Sequence, residues 1–280
     1  MTKVIAITSG KGGVGKTTVT ANVGASLALM GKKVCVVDAD FGLCNLDIPL
    51  GLTNRIIFDL FDYFNHTSLS LKSVLVKDKY IPNFYLLPGN KKGSFVEHDP
   101  VLLHQVISEI RESGQFDYVL IDSPSGIEKG FDTVIQSSDE AIVVTTPDLI
   151  ALRDADRVIG ILEETIRFSS SLVINWYNEK DGRLSIDDVV QTLAIPLLGT
   201  ILEDEAIITS VQRGKVITLQ PELEAGMRFR QIGRNIIKQE TKAYEPTKSM
   251  KKQAHLIPLP LKLMKHKRSK NDHFVRGMAR

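Results

Sequence analysis

The chain has 280 residues, 43% of them hydrophobic, enough to bury one large α/β core with a tail. Its net charge of +2 hides an asymmetry: ten of the 35 basic side chains but only one of the 33 acidic ones fall in residues 248–280, so that stretch carries +9 and the rest −7, which points to an anionic partner for the extension. Cys35 and Cys44 are too few for a disulfide framework and lack metal-site spacing, no apolar run reaches the ~18 residues that span a bilayer, and no signal or transit peptide is expected ahead of the first strand.

In chain order, the apolar run at 4–8 (VIAIT) reads as a strand, followed by GKGGVGKTT (10–18) and a helix over 16–30 that ends at Gly31. Further strands are expected at 33–38, 84–88, 117–122, 140–146, 171–175 and 197–202, with helices over 99–113, 149–168, 185–194 and 222–240. The strands are nearly continuous Val, Ile and Leu, as a parallel sheet covered on both faces requires. The expected fold is α/β, a doubly wound, mostly parallel sheet with helices on both faces. After Glu245 the periodicity stops, and Pro258 and Pro260 sit in Lys-rich sequence. The expected division is a domain over 1–245 and a basic, partly apolar tail over 246–280.

The turn after the first strand meets the P-loop pattern, because Gly10, Gly15, Lys16 and Thr17 stand at the required spacing between a strand and a helix. Gly10, Gly12, Gly13 and Gly15, with Val14 among them, let the backbone turn its amides toward phosphate oxygens, and the helix N-terminus adds partial positive charge. Lys16 is expected to reach the β- and γ-phosphates, Thr17 to ligate Mg²⁺, and Thr18 to complete the loop. Asp122 ends a strand, where a carboxylate faces the metal shell, and Asp38 and Asp40 follow the strand at 33–38 on the same edge of the sheet. Phosphoryl transfer needs such groups: a metal, cations to absorb charge, and a residue that orients water.

A second loop lysine, Lys11, is not needed for one chain's own phosphates. With it, TSGKGGVGKTT, DADFGLCNLD, DSPSGIE and RDADRVIGIL resemble the deviant Walker A ATPases of the ParA/MinD family, in its MinD branch, over residues 2–240. The resemblance implies a Mg²⁺-dependent ATPase that dimerises on ATP, with Lys11 crossing to the partner's nucleotide. It also implies that Asp40 positions the attacking water, that Asp38 and Asp122 lie in the outer metal shell, and that Asn175 lies near the adenine. The helix bearing Arg153, Asp154, Asp156 and Arg157 would receive a MinC-like division inhibitor and a MinE-like regulator. The location implied is bacterial cytoplasm with the inner membrane, or plastid stroma and inner envelope. Departures are Cys44, where the family usually has Arg, Ser125 for Ala, Trp176 for Arg and Leu202 for Pro.

The tail is expected to meet an anionic membrane surface, since each basic residue near one contributes ~1 kcal/mol, although Pro258 and Pro260 exclude a regular helix across its first half. A ParA-like DNA-partition ATPase is the alternative reading; the tail's charge allows it, and GLCNLD and RDADRVIGIL speak against it. An iron–sulfur carrier would need paired cysteines, and a metabolic ligase or kinase a substrate pocket that the sequence does not reveal.

Overall fold

The structure is a computed structural model that describes residues 1–238 apart from 42, 67, 90–99, 128–129, 166–168 and 180–183, and of residue 100 only the backbone. The tail expected over 246–280 lies outside the described residues.

The strands are β1 (Lys3–Thr8), β2 (Val34–Asp38), β3 (Val76–Lys77), β4 (Phe84–Leu87), β5 (Tyr118–Asp122), β6 (Glu140–Thr145), β7 (Ser169–Tyr177) and β8 (Leu197–Leu202). They form one sheet in the order β3-β4-β2-β5-β1-β6-β7-β8, parallel except for β3 against β4. The helices are α1 (Lys16–Leu29), α2 (Asp47–Leu50), α3 (Leu60–Asn65), α4 (Leu71–Val74), α5 (Pro100–Ser113), α6 (Phe131–Gln136), α7 (Leu149–Glu164), α8 (Ile186–Leu193), α9 (Glu205–Gln212) and α10 (Glu224–Lys238). The doubly wound, mostly parallel sheet expected from the sequence is therefore the architecture found.

Alternation along each strand divides the core. Val4 and Ala6 of β1 join the cluster under α3 to α8, while Ile5 and Ile7 join the one under α1, α2, α9 and α10. Each cluster removes one face of the sheet from water, at ~25 cal/mol per Å² of apolar surface. Strand order reverses around β1, with β5 on one side and β6 on the other. A ligand crevice belongs at the carboxyl end of such a reversal.

The seven expected strands and five expected helices are present with small shifts at their ends. The helix expected to reach residue 168 stops at Glu164, because the chain must already be extended at Ser169 to pair with Glu140 of β6. The last helix begins at Glu224 instead of 222. Periodicity did not reveal α2, α3, α4, α6, α9 or β3, which are two to eight residues long and too short to establish a repeat. Their signals are caps: Asp59 accepts from the Phe61 and Asp62 amides to start α3, and Asp204 from Ala206 to start α9.

Helix α1 is buried on nearly every side, so polar groups within it need partners. Asn22 Nδ2 donates to Thr18 O at 2.9 Å, while the Thr218 N–H and hydroxyl reach Asn22 Oδ1 at 3.1 and 2.9 Å. Arg230 of α10 in turn donates to Thr218 O at 3.0 Å. Asn22→Ala leaves the buried Thr218 N–H without its acceptor, while the Thr218 hydroxyl keeps the Asn22 backbone carbonyl at 3.1 Å, and should cost about 2 kcal/mol. Thermal unfolding should show a midpoint lower by roughly 4–8 °C; an unchanged midpoint would remove this strut from the account of α1.

Candidate active site

From Thr8 the chain leaves β1 and turns through the glycine-rich loop into α1, whose N-cap is Gly15. Two glycines are dictated by what surrounds them. A Cβ on Gly10 would collide with the backbone carbonyl of Asp154 on α7, and one on Gly15 with Nδ2 of Asn175. Gly15 also has φ +90°, a left-handed conformation that favours glycine. The loop is thus wedged between α7 and the end of β7. Asn175, buried at an irregularity of the β7–β8 pairing, donates from Nδ2 to Val14 O at 2.8 Å. Expected beside a base, it also braces the loop's backbone.

Gly12 and Gly13 are exposed, and a Cβ on Gly13 would have no atom within 4 Å, so the mouth of the loop is open. Lys16 is buried and its Nζ lies 2.9 Å from Ser125 Oγ, on the segment after β5. Thr17 and Thr18 occupy the first turn of α1.

Parallel pairing sets Asp38 of β2 directly beside Asp122 of β5. Both are buried. Burial first, then the neighbouring Asp122 charge, push Asp38 up to about 8, partly offset by the amides of Leu46 and Asp40. Burial pushes Asp122 up to about 6, against the lowering effects of Lys16 and the Thr17 and Thr20 hydroxyls; Thr20 Oγ1 is 3.1 Å from Asp122 Oδ1. Asp40 is also raised by burial, with Lys16 opposing. Two buried acids side by side make a place that favours a cation.

Among the described residues, no three His, Cys, Asp or Glu side chains stand close enough to hold a metal by themselves. The donor set present, with the Thr17 hydroxyl bonded to Asp122 and the buried Asp38 carboxyl alongside, is of the kind Mg²⁺ takes, since that ion keeps waters and uses one or two protein ligands together with substrate phosphates.

The structure gathers Lys16, Thr17, Asp38, Asp40 and Asp122 at one edge and leaves Lys11 outside that group. Lys11 is exposed on the rim of a cavity of about 230 Å³ that Gly12, Gly13, Thr146, Asp148 and Trp176 also line. Asp148 caps α7; although burial raises it, the Thr146 hydroxyl, the Ala151 amide and the charge of Lys11 hold it below the usual carboxylate range. Along α7, Arg153, Asp156 and Arg157 are exposed, Asp154 is half-buried, and Val158 and Leu162 face the core. Leu43, Ile127, Leu149, Ile150 and Trp176, all in segments at or after strand ends on this edge, are exposed.

Sequence reasoning missed Thr20, Ser125 and Asp148 as partners of Asp122, Lys16 and Lys11. Thr20 was accessible from its i+4 spacing to Lys16 on a helix. The other two depend on contacts between distant segments.

An AAA domain family model matches residues 2–174. The septum site-determining protein MinD of Bacillus subtilis is 42% identical over 243 residues, covering 85% of this chain and 90% of that protein. A chain of the MinC:MinD cell division protein complex of Aquifex aeolicus is similar in structure, with a TM-score of 0.78 and 38% identity over 88% of this chain and 98% of that one. The septum site-determining protein MinD of Pyrococcus horikoshii, solved in complex with Mg-ADP, has a TM-score of 0.77 at 30% identity, covering 85% and 97%.

The raised Asp38 carboxyl carries a sign for stability. An acid whose native value lies above its unfolded value contributes stability at low pH and loses it as pH rises, here between about 4 for an unfolded aspartate and about 8 in the native protein. Thermal unfolding without nucleotide or metal should therefore show Asp38→Asn gaining on the parent as pH goes from 5 to 8, by several degrees at the upper end. An Asp38→Asn difference that is flat with pH would contradict the buried acid pair.

Proposed function

Because this chain belongs to the MinD family of septum site-determining P-loop ATPases, we propose that it hydrolyses Mg-ATP in a dimer that ATP itself assembles on a membrane. The observation that best supports this reading is the split between the two loop lysines, one buried among the three aspartates and the other exposed on the rim.

In this mechanism the loop amides and the N-terminus of α1 bind the phosphates, and the Lys16 ammonium spans the β- and γ-oxygens. Thr17 would hold Mg²⁺ through its hydroxyl, with Asp38 and Asp122 as the carboxylates of its outer shell. Bound Mg²⁺ supplies neutralisation of the charge that develops on the phosphate oxygens. Asp40 orients a water in line with the γ-phosphate; the P–O bond to the β-phosphate breaks, and ADP and inorganic phosphate leave. Lys11 of each chain reaches the partner's γ-phosphate, which makes catalysis conditional on assembly. The exposed apolar side chains on this edge, Leu43, Ile127, Leu149, Ile150 and Trp176, suit contact with a second copy.

The output is positional. The Aquifex aeolicus relative was solved in a MinC:MinD complex, and a MinC-like division inhibitor with a competing MinE-like regulator would use the exposed Arg153, Asp156 and Arg157 of α7. The +9 tail supplies attraction to anionic lipid, and pairing two tails in a dimer adds avidity. The association proposed is peripheral, in a bacterial cell or a plastid, and no helix among the described residues is long and apolar enough to cross a membrane.

Asp40→Ala should bind Mg-ATP but hydrolyse it at least about 100-fold more slowly, and size-exclusion chromatography should show it dimeric with Mg-ATP and monomeric with Mg-ADP. A monomer with both nucleotides would remove the trans role of Lys11. Independently, Lys11→Ala should abolish regulator-stimulated phosphate release, and stimulation that survives it would leave only a nucleotide binder.

A further inference from the structure

The segment after β5 is tied by its backbone to the end of β1. Ser123 N–H donates to Ile7 O at 3.1 Å and Gly126 N–H to Ser9 O at 3.0 Å. Gly126, at φ +80°, supplies the left-handed turn this lacing needs. Ser125 is therefore held over the phosphate loop by bonds that involve no ligand. Its Oγ lies 2.9 Å from Lys16 Nζ and 3.7 Å from where a Cβ on Gly12 would stand, across the open mouth of the loop. An ammonium only donates, so the Ser125 oxygen accepts from Lys16 and keeps its own proton to give. The residue is exposed, so that proton is open to a ligand.

We infer that Ser125 determines the preference for triphosphate over diphosphate by donating a hydrogen bond to a γ-phosphate oxygen while it accepts one from Lys16. The inference rests on the nucleotide reading above. Lys16 spans the β- and γ-phosphates from the floor of the loop, and Ser125 meets its ammonium on the Gly12 side, at the open mouth of the loop. ADP has no oxygen at that place. The competing role, in which Ser125 only shields the Lys16 ammonium of the empty loop, makes the opposite forecast. Lys16 touches the β-phosphate of both nucleotides, so removing a shield would alter both affinities alike.

Competition titrations against a fluorescent ADP, with the full-length protein dilute enough to be monomeric in both complexes, separate the two roles. Ser125→Ala should weaken the non-hydrolysable β,γ-imido analogue of ATP about tenfold, as expected for one hydrogen bond to a charged group, and leave Mg-ADP unchanged. Ser125→Thr, which keeps a hydroxyl, should restore the preference. Equal changes for both nucleotides, or none for the analogue, would overturn the inference while leaving the ATPase reading intact. Failure of the parent protein to bind either nucleotide would overturn both.

Discussion

Asp38 and Asp122 are forced together by parallel pairing of β2 with β5, and the rest of the site depends on that contact. Both are buried, the Asp122 charge pushes Asp38 up, and Lys16 opposes the rise at Asp122 alone of the two. Such a pair is costly in an empty site and favourable beside a divalent cation. The Thr17 and Thr20 hydroxyls and the Leu46 and Asp40 amides moderate the cost without removing it. The sheet thus sets a pair of acids that favours a cation at the place where its strand order reverses.

The phosphate loop has little freedom against this background. Gly10 abuts the Asp154 carbonyl of α7, and Gly15 abuts the Asn175 amide that braces Val14. A protein that binds the exposed side of α7 therefore pushes on an element whose backbone touches the loop. The Lys11 side chain is electrostatically coupled to Asp148, the cap at the start of the same helix. The exposed side of α7 and the phosphate loop share a wall.

On the opposite face, the Asn22–Thr218–Arg230 chain of hydrogen bonds joins the first turns of α1 to α10. It ties the helix that begins at the phosphates to the last helix described before the basic tail. Both helices are held by packing as well, because the apolar side of α10, with Phe229, Ile232 and Ile236, closes the core under α1.

Much of this was legible in the chain itself. A P-loop spacing between a strand and a helix, apolar runs without polar alternation, and aspartates at strand ends are local patterns, and they determined the fold class, Lys16, Thr17, Asp38, Asp40 and Asp122. The short helices and β3 were not legible, since a few residues cannot establish a period and their caps are too common to be read alone. Nor was the brace that Asn175 gives the loop, or the partners Ser125 and Asp148. Sequence determines which groups a strand or turn presents at its end; only tertiary structure decides which of them meet, because the contacts of Lys16 with Ser125 and of Val14 with Asn175 join segments more than a hundred residues apart, brought together by strand order in the sheet.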